Sequence, residues 1–217
     1  MGGQIPKQYL KLCGRPIIEH TVARLCGHPL ISGVIVALAA DDRWWQEVNT
    51  ATSKPVVRAL GGTERCHSVL NGIEALSERA DPADWVLVHD AVRPCVRLTD
   101  VDRLIARLAD HPVGGLLGLP LGDTIKRADG RGTIAETVSR QGLWRALTPQ
   151  MFRVGALAQA LRTCIAQGLL ITDEAQAMEL SGSAPQLVEG SPDNIKITRQ
   201  ADLALAELFL THQRTLT

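Results

Sequence analysis

Trp85-Val86-Leu87-Val88 is apolar at every position, and such a run reads as a buried strand of a parallel sheet. A strand of that kind belongs to an α/β sheet with helices on its faces. It ends in His89-Asp90-Ala91-Val92-Arg93-Pro94. In open α/β sheets, ligands bind just beyond the carboxyl ends of strands. A His, an Asp and an Arg placed there can hold a metal, a sugar hydroxyl and a phosphate. The plainer alternative is a polar turn that only caps the sheet. Pro94 keeps the chain from running on as a central strand.

The rest of the sequence repeats the strand–helix alternation. Pro16 stands where a first helical turn begins, and Ile17, Ile18, Val22 and Leu25 follow at helical spacing up to Gly27. Residues 33–39 and 56–60 read as buried strands, the second ending in Gly61-Gly62. Residues 65–76 read as a helix with Val69, Leu70, Ile73 and Leu76 on one face. A helix marked by Val101, Leu104, Ile105 and Leu108 precedes a strand at 115–121. From 123 to about 150 the pattern breaks into short β-like pieces, 124–127, 133–138 and 143–147, divided by the turn dipeptides Asp129-Gly130 and Gln141-Gly142. This reads as an antiparallel excursion whose unpaired edges call for a cover, and a partner subunit is one. Helices near 154–167 and from 172, a short strand at 186–188 and a last helix at 200–210 complete the chain. The whole, 1–217, reads as a single domain with an insertion.

With 217 residues, 45% of them hydrophobic, the chain has enough apolar material for a sizeable core. Its formal net charge is zero, which gives no long-range steering toward nucleic acid or membrane, so an anionic ligand must be held locally. The five lysines are Lys7, Lys11, Lys54, Lys126 and Lys196. The five cysteines have no metal-ligand spacing, and their odd number argues against a complete disulfide framework. No apolar run is long enough to span a membrane, and no signal-peptide pattern opens the chain. The expected compartment is the cytoplasm.

Several segments carry candidate chemistry. Lys7, in Pro6-Lys7-Gln8-Tyr9-Leu10, can reach a phosphate as a point charge or be an ordinary surface lysine. Gly61-Gly62-Thr63-Glu64-Arg65 follows a strand and opens a helix. There the glycines allow a flat ligand to approach closely, and Ser68, one turn in, can hydrogen-bond a base edge. The alternative is an ordinary turn with Thr63 as the helix cap and Ser68 solvated. Thr172-Asp173-Glu174 reads as a helix cap with acids in the first turn. Asn194-Ile195-Lys196-Ile197-Thr198 reads as a short strand that would hold its lysine rigidly. Neither GxxxxGK[ST] nor GxGxxG is present, which disfavours P-loop ATPases and Rossmann dehydrogenases. The six histidines form no metal-ligand pair.

In order along the chain stand PKQYL, GG-x-E-R-x-x-SV, WVLVHDAVRP, GLWRALTPQ-x-F, ITDEA and QLVEG-x-x-DNIKIT. Jointly they resemble the 2-C-methyl-D-erythritol 4-phosphate cytidylyltransferase family from Pro6 to about Leu210. The resemblance implies a Rossmann-like nucleotidyltransferase fold, a mostly parallel sheet with helices on both faces and a protruding β-arm at about 133–150. It implies a homodimer joined through that arm. The implied reaction is CTP plus methylerythritol 4-phosphate giving the CDP-linked alcohol and pyrophosphate, with Mg²⁺ held mainly by triphosphate oxygens. The nucleophile would be the substrate's own phosphate. The protein would then need in-line positioning and charge cancellation instead of a nucleophilic side chain.

By the same resemblance Lys7 stabilises charge on the α-phosphate, Gly62 and Ser68 recognise cytosine, and Asp90 and Arg93 lie beside the sugar and substrate. Thr137, Thr172 and Lys196 hold the methylerythritol phosphate, with Thr137 serving a neighbouring subunit's pocket and Lys196 positioning the attacking phosphate. Two departures stand out. Family members open with a strand and a Pro-Ala-Ala-Gly-x-Gly-x-Arg loop around the triphosphate. This sequence begins after that arginine would appear, as a fragment or a late-assigned start would, and is expected to be poorly active as written. Loss of one charged transition-state contact costs about 2.7–4 kcal/mol by analogy with oxyanion donors. Second, some members carry an arginine where Val154 stands, and a local shift would bring Arg153 to the substrate phosphate. The alternatives to this reading are a ribitol 5-phosphate cytidylyltransferase and a non-catalytic nucleotide-binding dimer module.

Overall fold

The computed structural model describes residues 5–76 and 79–215. Met1–Gln4 lie outside them. A 3₁₀ turn, Lys7–Tyr9, leads into a two-residue hairpin of β1 (Lys11–Leu12) and β2 (Arg15–Pro16). Pro16 then caps α1 (Ile17–Cys26), as a proline without an N–H suits a helix start. β3 (Val34–Leu38) pairs in parallel with β4 (Val56–Leu60), and α2 (Arg65–Glu74) follows the Gly61-Gly62 turn. Next come β5 (Trp85–Val88), α3 (Leu98–Leu108) and β6 (Gly114–Pro120). An antiparallel ribbon of β7 (Ile125–Ala128) and β8 (Ile134–Val138) precedes β9 (Trp144–Arg153). α4 (Val154–Ala166), α5 (Glu174–Leu180), β10 (Gln186–Glu189) and α6 (Gln200–Thr215) complete the described chain.

The fold is α/β, with a four-stranded mixed sheet in the order β10-β6-β9-β5. β10 runs parallel to β6, while β9 is antiparallel to both β6 and β5. Helices cover both faces, and β9 shows why. Phe152 packs with Leu157 and Leu161 of α4, whereas its neighbour Met151 packs with Leu104 and Leu108 of α3. Adjacent strand residues point to opposite faces, so an apolar pair of this kind demands a cover on each.

Two expected segments take other forms. The sequence pattern groups residues 143–147 with the antiparallel excursion, and the resemblance puts the arm at about 133–150. Here the exposed ribbon spans Ile125–Ala128 and Ile134–Val138, and Trp144–Arg153 is a central strand with 147–152 buried. Pro149 and the polar Thr148 and Gln150 disguised it. The pairing of β6 with β9 shifts register between Leu116, opposite Gln150, and Gly118, opposite Ala146. Pro149 falls in that irregularity, where a missing N–H leaves no ladder bond broken. The second segment, 194–198, was read as a strand around Lys196. It joins no sheet. Hydrogen bonds pin it instead, among them the Ile197 N–H donating to the Val92 carbonyl at 2.9 Å.

Candidate active site

The carboxyl end of β5 opens into a cleft of about 240 Å³ whose lining includes Arg65, Asp90, Arg93, Gln150, Thr172 and Lys196. Asp90 is its electrostatic centre. Its Oδ1 accepts from Arg65 Nε at 3.3 Å, and its Oδ2 receives both Arg93 Nε at 3.2 Å and Lys196 Nζ at 3.1 Å. Burial is the largest influence on this carboxyl group and pushes it up. The summed attraction of Arg65, Lys196 and Arg93 outweighs burial and holds Asp90 at about 2. Three cations thus converge on one carboxylate in a surface cleft. Arg65 is also claimed by Glu174, and Asp173 lines the same cleft, so Lys196 and Arg93 are the cations left to meet an anionic ligand.

The backbone around Asp90 is fixed by hydrogen bonds. The Asp90 N–H donates to Thr148 Oγ1 at 3.2 Å, and that hydroxyl stands 2.8 Å from His89 Nδ1. His89 Nε2 lies 3.1 Å from the Arg93 carbonyl, which can only accept, so Nε2 carries the proton and Nδ1 accepts from Thr148. Burial pushes His89 down to about 4, and the ring is neutral near pH 7. Arg93 Nη1 donates to the Asn194 carbonyl at 2.8 Å, while Asn194 Nδ2 donates to the Thr148 carbonyl at 2.7 Å. The segment bearing Lys196 is therefore tied to both β9 and the turn after β5. Further back, the fully buried Asp100 accepts from the N–H and hydroxyl of Ser191 at 2.9 and 3.0 Å.

The opposite wall is the start of α5. Asp173 caps this helix by accepting from the Gln176 N–H at 2.9 Å. Gln150, buried in β9, donates through Nε2 to Asp173 at 3.0 Å and accepts the Ala175 N–H at 2.8 Å. Thr172 donates through its N–H and its hydroxyl to Gln176 Oε1 at 2.7 and 3.0 Å. Glu174, in the first turn, is buried and receives Arg65 in a bidentate pair at 2.5 and 3.0 Å. Burial is the stronger influence there and raises the Glu174 carboxyl group, with Arg65 opposing it.

The profile of the family described as 2-C-methyl-D-erythritol 4-phosphate cytidylyltransferase (IspD) matches residues 1–212. The chain belongs to this family. The family's enzyme from Ectopseudomonas mendocina (strain ymp) is 54% identical over 205 residues, covering 94% of this chain and 87% of that protein. The one from Hahella chejuensis (strain KCTC 2396) is 50% identical over 210 residues, covering 97% and 87%. Among solved structures, the Francisella tularensis 2-C-methyl-D-erythritol 4-phosphate cytidylyltransferase superposes with a TM-score of 0.85 at 36% identity, covering 95% of this chain and 94% of that one. A 4-diphosphocytidyl-2C-methyl-D-erythritol synthase superposes at 0.86 and 36% identity, covering 94% of each chain.

Of the residues assigned through the cytidylyltransferase resemblance, the cleft gathers Asp90, Arg93, Thr172 and Lys196. Gly62 and Ser68 stand at the start of α2, where the Gly62 N–H donates to Ser68 Oγ at 2.9 Å. A Cβ at Gly62 would lie 2.3 Å from that of His67, so glycine is required there by packing as well. The helix cap is Glu64, not Thr63. Lys7 is exposed on its 3₁₀ turn and is not among the cleft's lining. Thr137 is on the ribbon, exposed, with Lys126 Nζ donating to its hydroxyl at 2.6 Å.

Arg153 is a correction. It pairs with Trp85 at the far end of β5 from Asp90. Its guanidinium lies 3.7 Å from the Trp85 ring centroid and donates to the Ala83 carbonyl at 2.7 Å. The aromatic face and carbonyl hold it there, and no local shift brings it to the cleft. Sequence reasoning gave no role in the site to Arg65, Thr148 or Gln150, and gave Glu174 only a place in the first turn of a capped helix. The signal for Arg65 was its place in GG-x-E-R, and for Glu174 its place in ITDEA.

Proposed function

We propose that the protein transfers the cytidylyl group of CTP to 2-C-methyl-D-erythritol 4-phosphate, yielding 4-diphosphocytidyl-2-C-methyl-D-erythritol and pyrophosphate. The observation that carries this reading is the convergence of Lys196, Arg93 and Arg65 on Asp90 within one cleft at a strand's carboxyl end. A phosphate oxygen of the polyol attacks the α-phosphorus of CTP. That P–O bond forms as the bond from the α-phosphorus to the bridging oxygen of the β-phosphate breaks, and pyrophosphate leaves with the electron pair. The attacking group is already anionic, so the residues position and neutralise. Lys196 and Arg93 meet the polyol phosphate, Thr172 offers a hydroxyl beside it, and Asp90 faces the sugar. Lys7 answers charge at the α-phosphate, and Gly62 and Ser68 meet the cytosine.

Mg²⁺ belongs to this reading as a passenger of the triphosphate. Among the described residues no three His, Cys, Asp or Glu side chains stand together as a metal cage, and Mg²⁺ typically takes substrate phosphates with one or two carboxylates. When bound it neutralises phosphate charge. Ribbon and partner belong to the reading too. Ile134 is 62% exposed on β8, and a second copy of the chain over this ribbon would cover it and carry Thr137 to the neighbouring cleft. The cytoplasm suits the reading: Cys26, Cys66, Cys95 and Cys164 are buried thiols, and no described helix is long and apolar enough to cross a membrane.

The test is pyrophosphate release from CTP by the full-length gene product, with methylerythritol 4-phosphate and with ribitol 5-phosphate. Faster turnover with the first is expected, and equal or greater turnover with the second overturns the substrate. Light scattering of Ile134→Asp against the unaltered protein tests the partner. A dimer that becomes a monomer supports it, and a monomer throughout removes it.

A further inference from the structure

Arg65 lines the cleft, yet the transfer just described gives it no task of its own. It opens α2, directly after the turn that carries Gly62. Its guanidinium serves carboxylates on two other elements. Nε donates to Asp90 Oδ1 at 3.3 Å, and Nη1 and Nη2 donate to the two oxygens of Glu174 at 2.5 and 3.0 Å. Glu174 is 1% exposed, and this is its one ion pair among the described residues. Asp90 is divided in turn: Oδ1 belongs to Arg65, while Oδ2 is shared by Arg93 and Lys196.

We propose that Arg65 is a positioning residue which, by holding Asp90 and Glu174 together, keeps the Lys196 ammonium available to the incoming polyol phosphate. The proposal rests on the cytidylyl-transfer reading of the cleft. Its logic is competition for one carboxylate. A lysine ammonium is a compact, mobile point charge, and its hold on a carboxylate weakens as other cations share that carboxylate. The planar fork of Arg65 is fixed from behind by the dry Glu174, so it shares Asp90 without wandering. Without Arg65, Asp90 falls back on Arg93 and Lys196, and a phosphate must break a tighter Lys196–Asp90 pair before it can bind. A bridge that merely braced α2 against α5 would matter to folding alone.

The two roles separate because Arg65→Gln does two things at once. It frees Lys196 to close on Asp90, and it leaves Glu174 as a buried carboxylate without its cation. Adding Glu174→Gln cancels only the second effect. The experiment compares R65Q, E174Q, R65Q/E174Q and R65K by thermal melting and by steady-state pyrophosphate release. R65Q is expected to melt well below the unaltered protein, and the double variant to recover most of that loss. KM for the polyol phosphate is expected to rise about tenfold in both R65Q and the double variant, the size of one weakened charged contact, while KM for CTP moves less than about threefold. E174Q leaves an amide oxygen at position 174 to accept from the Arg65 fork, so Arg65 stays on Asp90 and KM should hold within about twofold, and R65K, still cationic, should recover part of the R65Q loss. A double variant whose KM returns together with its melting temperature overturns the inference alone. So does an equal rise in KM for CTP. If the full-length gene product, without substitutions, releases no pyrophosphate from these substrates, the cytidylyl-transfer reading falls and takes the inference with it.

Discussion

Arg65–Glu174 in the cleft and Arg127–Glu136 on the β7–β8 ribbon are the same chemical pair at the same closest approach, 2.5 Å. Their surroundings differ. The Glu174 side chain is 1% exposed, whereas those of Arg127 and Glu136 are 65% and 55% exposed. Water and salt screen the ribbon pair, and either partner is well solvated alone. In the cleft pair Arg65 reaches the surface at 34% exposure while Glu174 is sealed, so a Glu174 stripped of its partner is left as a buried carboxylate. Distance and residue type therefore say little about the weight of an ion pair, and the medium around it decides.

Deleting one arginine from each pair puts the contrast to its strongest test. Arg65→Ala is expected to destabilise the fold by about 3–5 kcal/mol, because a buried charge loses its partner. Urea unfolding followed by circular dichroism reads the effect, and a loss no greater than on the ribbon would refute the contrast. Next in size is Lys196→Ala, which removes a partly exposed cation from Asp90. It should raise KM for the polyol phosphate roughly tenfold to a hundredfold, the span of a charge-assisted contact, with little change in melting temperature. An unchanged KM would take Lys196 out of the site.

A third prediction concerns pH. Burial holds His89 at about 4, below its ordinary 6.5. Between those values the unfolded chain binds a proton that the folded chain refuses, so stability should fall as pH drops from about 6.5 toward 4. Asp90, held at about 2 against its ordinary 3.8, contributes stability above its ordinary value and loses it only in the more acid window between the two. His89→Gln should flatten the upper limb of a stability-versus-pH curve and leave the lower one. A limb that survives the substitution belongs to another group. The smallest effect is expected on the ribbon, where Arg127→Ala should cost about 0–1 kcal/mol, shrinking further as salt is added.

The same distinction of settings governs what could be read from the sequence. The α/β alternation was legible because apolar runs such as Trp85–Val88, half-buried in β5, and the spacing of Leu104 and Leu108, fully buried in α3, follow the packing of sheet and helix. Asp90, Arg93, Thr172 and Lys196 were legible through motifs, and the fold brings them to one cleft. Glu174 was hidden by its own plausibility, since an acid in the first turn of a helix reads as solvated decoration until the fold buries it. β9 was hidden for the opposite reason. Thr148, Pro149 and Gln150 look like a loop, and only the register irregularity and their hydrogen bonds make them a strand. Arg153 misled because it closes β9 opposite Trp85, at the end of β5 remote from the cleft, where the Trp85 ring holds it. The Lys196 segment misled because backbone can be pinned by side chains and carbonyls without joining a ladder.

A glutamate sealed from water with a single arginine for company cannot drift alone. Whichever of positions 65 and 174 changes first, the descendant inherits an orphan: a stranded carboxylate in one order, an arginine anchored only by Asp90 in the other. The two positions are therefore expected to behave as one heritable unit, lost together or kept together wherever this scaffold has been copied.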